Sequence, residues 1–130
     1  MNWVRLIVIM IGTGVVSSFT DWFFAGDWLH RRYTYPEIWR KGPETQAIAL
    51  SSPLPFLTCA AFVYLGARLG LHSVPGAIKL ALAVWLIGPL PLILTNALFI
   101  KLHRVFVVSL ALGWLVKLLI AALGLGLFIR

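Results

Sequence analysis

Apolar positions in this chain come in four long runs, from about Trp3 to Phe24, Thr45 to Leu69, Gly76 to Ile100 and Val105 to Ile129. A helix that crosses a bilayer needs about 20 such residues. The pattern therefore predicts an all-α, integral membrane four-helix bundle. Four spans use nearly the whole length, so residues 1–130 read as a single domain with no room for a second, soluble one. An even number of crossings puts both termini on one side, here called side A. The first and third connections fall on the opposite side B. The second and third connections are tight, which predicts spans two and three, then three and four, as antiparallel neighbours.

Composition agrees: 61% of residues are hydrophobic and 12% charged, with a mean hydropathy of +0.95, more apolar surface than one small soluble core can hide. The net charge of +7 would suggest nucleic acid in a soluble protein. Here the cations cluster between and at the ends of apolar runs, where they suit anionic headgroups, so membrane lipids rather than nucleic acid are the expected partner. Side B collects Arg31, Arg32, Arg40, Lys41, Lys101 and Arg104, against Arg5, Arg68, Lys79 and Arg130 on side A. The positive-inside rule then makes side B, with loops 1 and 3, cytoplasmic. Arg5 before an apolar run loosely resembles a signal peptide, but Phe19, Trp22, Phe23 and Phe24 carry the run to spanning length, so an uncleaved first helix is expected. The single cysteine, Cys59, excludes an intramolecular disulfide and reads as a small buried packer.

The first connection is too long for a turn and too aromatic for a loose linker. Asp27 suits a helix cap, and Pro36 suits the first turn of another helix that stops at Gly42. Trp28, Arg31, Arg32, Trp39, Arg40 and Lys41 predict a short helical loop lying in the lipid interface. It would act either as an anchor alone or as a cover over a site.

Polar residues at membrane depth carry a cost and need partners. Thr13, Ser17 and Asp21 share one face of the first span, with Gly14 and Ser18 beside them, and that face must look inward. Ser52-Pro53-Leu54-Pro55 and Gly88-Pro89-Leu90-Pro91 predict a kink in spans two and three at similar depth. Facing kinks at Pro53, Pro55, Pro89 and Pro91 would free carbonyls to line a polar cavity, or the prolines serve packing only. Lys117 is the strongest single signal. It lies 12 residues after Val105 and 13 before Arg130, too deep to snorkel easily, and a central lysine costs about 2.5–3.5 kcal/mol on insertion scales. Ser109, Gly113, Lys117 and Ala121 form a small-residue face suited to close helix contact. Cα–Cβ bonds lean toward a helix's N-terminus, so Lys117 leans toward side B while Asp21 leans inward to meet it. The expected centre is thus a Lys117–Asp21 pair with Asn96 nearby. The alternatives are carbonyls freed at the prolines or a shifted span. Ser17, Thr95, Trp85 and Trp114 complete the candidate ligand-binding set. His30, His72 and His103 are spread over both sides, so neither metal nor haem is expected. The Gly66-x-x-x-Gly70 spacing suits helix packing or dimerisation.

The early Asn-Trp, Asp21-Trp22-Phe23-Phe24 with Gly26 and Trp28, Trp85 with Pro89, Asn96-Ala97-Leu98-Phe99, and Gly113-Trp114-Leu115 together resemble domain of unknown function family seventeen sixty-one. That resemblance spans nearly the full chain. It implies a small, mainly prokaryotic four-helix protein of the inner (cytoplasmic) membrane, with no established activity and no catalytic residues to carry over. The sequence reading is a non-enzymatic binder or carrier of a small amphiphile or solute in a polar recess near mid-bilayer, without cofactor, with a homodimer or a membrane partner subunit as the protein partners to look for. Its rival is a structural or accessory subunit of a larger membrane complex, and a membrane enzyme ranks third.

Overall fold

The computed structural model describes residues 2–28, 31 and 44–129, and every regular element among them is helical. Helix α1 (Trp3–Asp21) is capped by Asn2, whose side chain accepts from the Arg5 amide at 3.2 Å, satisfying one of the orphan donors of a first turn. After Asp21 the chain keeps coiling, but as a π-helical segment, Trp22–Trp28. The second span is built from α2 (Glu44–Ser51) and α3 (Leu54–Arg68), the third from α4 (Val74–Ile87) and α5 (Pro89–Phe99), and the fourth is the unbroken α6 (Arg104–Phe128). Four stretches are long and apolar enough to cross a membrane: Trp3–Phe24, Ala49–Arg68, Val74–Phe99 and Arg104–Phe128. The chain is an integral membrane protein with a helical bundle.

Both Pro-x-Pro pairs interrupt their spans where expected. A proline has no amide hydrogen to donate and clashes with the preceding turn, so helix stops at Ser51 and resumes at Leu54, and stops at Ile87 and resumes at Pro89. The second break is centred on Gly88, whose own amide still reaches the Val84 carbonyl at 3.1 Å. The chain leaves α3 through a left-handed Gly70, φ +74°. Gly70 N–H donates to Ala67 at 3.1 Å and Leu71 N–H to Gly66 at 3.0 Å, the double bond pattern of a Schellman stop. The Gly66/Gly70 pair is thus not one dimerisation face. Gly70 ends the helix, and Gly66 lets the Leu125 side chain of α6 close on the backbone.

The lateral arrangement departs from expectation. α1, α3 and α6 pack on one another as a three-helix core, while the third span rests chiefly on α6 rather than on α3, despite the short turn that joins it to α3. The two kinks therefore do not face each other across a shared cavity. The physical reason lies in residue size. Gly126 admits the Val74 backbone, within 2.7 Å of where a Cβ would stand, so the start of α4 docks against the end of α6. Gly124 admits Thr13 of α1, and Gly113 admits Phe24. α6 is the central post because small residues occupy several of its faces. Around it a buried core gathers Leu6, Ile9, Cys59, Phe62, Val63, Ala77, Ala81, Leu118 and Leu125. Large exposed apolar side chains, among them Val4, Ile87, Leu98 and Phe99, cover the outside, as a lipid-facing surface requires.

Candidate functional site

Lys117 and Asp21 meet. Lys117 Nζ donates to Asp21 Oδ2 at 2.9 Å, with side chains 7% and 28% exposed respectively. The geometry follows from antiparallel packing. Lys117 reaches along α6 toward side B, and Asp21, the last residue of α1, reaches back toward side A. The indole of Trp114, one turn earlier on α6, lies under the ammonium, 4.0 Å from Nζ to the ring centroid. A cation desolvated in this way is stabilised by the ring face as well as by the carboxylate. The alternative partners, carbonyls freed at the prolines, are not what holds it.

Below this pair the α1 stripe is buried as expected and internally satisfied. Ser17 Oγ lies 3.2 Å from Cys59 Sγ, and the Thr13 hydroxyl donates to the Ile9 carbonyl at 2.7 Å. Above it, the Ser109 hydroxyl donates to the Phe24 carbonyl in the π-helical segment. The four α6 positions 109, 113, 117 and 121 are all buried. Trp85 does not join this cluster. Its indole N–H donates to the Ala111 carbonyl at 3.0 Å and so fastens the third span to α6. Asn96 and Thr95 are exposed on α5, outside the position beside Lys117 that their depth suggested. Asn96 is three residues from the end of α5, about 4.5 Å of helix, where interfacial water and headgroups can satisfy it. Trp28 is half-buried and Arg31 exposed. Arg32, Trp39, Arg40 and Lys41, with Pro36 and Gly42, lie outside the described residues. Asp27 falls within the π-helical segment and not at a cap. His103 Nδ1 caps α6 by accepting from the Val105 amide at 3.1 Å, and His72 Nδ1 sits 2.6 Å from the Gly70 carbonyl in its turn.

No family model, curated protein or solved structure matches the chain.

Two features escaped the sequence reading. One is the π-helical segment, Trp22–Trp28, which no pattern of residues marks. The other is a groove of about 880 Å³ along the outside of the bundle, between α1 and α6. Val4, Val8 and Gly12 form one wall, Gly124, Leu127 and Phe128 the other, and Val16 and Ile120 mark its deep end. Its mouth, on side A, is formed by Asn2 and Arg5, which also line a neighbouring recess of about 370 Å³ with Leu6, Ala67 and Ile129. The signal was the pair of glycines, Gly12 and Gly124, on helices that the Asp21–Lys117 argument had already made neighbours. Gly12 has open space where a Cβ would stand. The groove is lined mainly by apolar residues, with Asn2 and Arg5 at its mouth and Thr13, whose hydroxyl is engaged by the Ile9 carbonyl, further in.

Proposed function

We propose that this chain is a non-enzymatic membrane protein that binds a small amphiphile along the α1–α6 groove, in a prokaryotic inner membrane with side B cytoplasmic. The observation that carries the reading is the groove itself, a largely apolar trough whose one charged lining residue, Arg5, stands at one end. That division matches an amphiphile, whose chain needs only apolar contact and whose headgroup needs water and polar partners. From Asn2 to Val16 the groove follows about 21 Å of helix, somewhat more than the roughly 15 Å depth of one leaflet's hydrocarbon. The Asp21–Lys117 pair does not line it. That pair serves to hold the two walls together.

The test is photolabelling of the lipid-embedded protein with a diazirine-bearing palmitoyl chain. Adducts should concentrate on the α1 and α6 groove residues and fall several-fold in Gly12→Leu, which fills the groove without meeting a neighbour. Labelling spread evenly around all four spans and indifferent to Gly12→Leu would overturn the reading.

A second reading, an accessory subunit docking on a larger membrane complex, is favoured by the third span. It rests chiefly on α6 and is the least buried of the four.

A further inference from the structure

Resting on the groove reading, we infer that the amphiphile is a single-chain anionic lipid, a long-chain fatty acid bound as its carboxylate, with its headgroup on Arg5. The first support is charge. All four acids of the chain, Asp21, Asp27, Glu37 and Glu44, belong to the side B end of span one and the first connection, whereas side A carries Arg5, Arg68, Lys79 and Arg130. The mouth of the groove thus presents a cation, and no Asp or Glu lines it or the neighbouring recess among the described residues. Asp21 is in any case engaged by Lys117, at the far end of α1 from Arg5.

The second support is the placement of Arg5. It stands in the first turn of α1, at the junction of the groove and the smaller recess. Its Nη1 reaches the Ile129 carbonyl at a long 3.5 Å, while a guanidinium carries five N–H donors. The remaining fork can take both oxygens of a carboxylate in one plane. The N-terminal end of α1 adds its own positive potential at the same point.

The third support is shape. The groove runs between two helices and meets one cation, so one chain and one small charged head fit its plan, and the smaller recess gives the head a place beside the Leu6 and Ala67 side chains. A carboxylate head gives the exposed Arg5 guanidinium a charge-assisted partner at the mouth, which a neutral head does not.

The experiment is competition against the diazirine-palmitoyl probe by palmitate and by monopalmitoylglycerol, which share the chain and differ in charge. In the wild type, palmitate should displace the probe at about tenfold lower concentration, the size of one charge-assisted hydrogen bond. Arg5→Gln should bring the two competitors together, and Arg5→Lys should restore part of the difference. Protection of the Cys59 thiol from maleimide checks that each variant is folded. Equal competition in the wild type, with the Gly12→Leu effect intact, would overturn the headgroup inference and leave the groove reading standing. Loss of any Gly12→Leu effect, or probe displacement by a second copy of the chain cross-linked through the groove, would overturn both.

Discussion

Removing one partner of the Asp21–Lys117 pair should harm the bundle far more than removing both. Asp21→Asn leaves an ammonium 7% exposed without its carboxylate. Breaking a buried pair in this way costs about 3–5 kcal/mol, consistent with the roughly 2.5–3.5 kcal/mol of a central lysine on insertion scales. Lys117→Met leaves Asp21, which at 28% exposure can still recruit water, so its cost is smaller, about 1–2 kcal/mol. The double variant buries no charge and keeps similar volume, so it should lie within about 1 kcal/mol of wild type. The coupling is then about 3–7 kcal/mol in magnitude, against additivity within about 0.5 kcal/mol for independent sites. Cys59 supplies the assay, as the one cysteine of the chain and fully buried. Its maleimide reactivity in detergent reports opening of the core, and each tenfold acceleration is about 1.4 kcal/mol. Asp21→Asn should accelerate labelling by roughly a hundredfold or more, and adding Lys117→Met to it should reverse most of that. If the double variant labels as fast as the product of the two single effects, the pair does not hold α1 to α6 and the reasoning fails.

Other consequences follow from the same geometry. Gly126→Ala should destabilise by about 1–3 kcal/mol, because a Cβ there would stand 2.7–2.8 Å from Val74 backbone atoms, whereas Gly66→Ala meets only the flexible end of Leu125 and should cost less; thermal stability in detergent ranks them. Ser109→Ala removes the hydroxyl that holds the Phe24 carbonyl and should cost about 1 kcal/mol, with faster amide exchange over the Trp22–Trp28 segment than at the N-terminal end of α1. Trp85→Phe breaks the indole bond to Ala111 and should loosen the third span alone, seen as proteolysis or exchange in α4 and α5 with Cys59 protection unchanged.

The spans were legible because each is a run of apolar residues, a signal that needs no tertiary information. The Asp21–Lys117 pair was legible for a related reason: two charges stranded at depth have few possible partners, and the tilt of side chains toward helix N-termini brings these two together. Which helices sit side by side was not. Short turns make consecutive spans antiparallel, but lateral choice depends on fits such as Val74 on Gly126 and Leu125 on Gly66, which involve residues about 50–60 positions apart and carry no periodic mark. Asn96 was placed inward by its polarity and by a depth close to that of Asp21. In the structure it sits in the last turn of α5, where the demand for an internal partner lapses. The π-helical segment follows from backbone geometry that no residue count anticipates.

The groove and the ion pair belong to one argument. α1 and α6 are tied at successive heights: Arg5 to the Ile129 carbonyl, Thr13 against Gly124, Asp21 to Lys117, and Phe24 to Ser109. Ties at that many levels fix the spacing of the two walls, so the trough exists before any lipid enters, and binding need not first open it. This separates two kinds of variant. Lys117→Met touches no groove residue and acts through wall spacing, so it should weaken palmitate and monopalmitoylglycerol by the same factor. Arg5→Gln leaves the spacing ties at Thr13, Asp21 and Phe24 in place and acts on the headgroup, so it should weaken palmitate alone. A Lys117→Met variant that lost palmitate selectively would mean that the ammonium reaches the lipid head, and the division of labour between clamp and mouth would have to be given up.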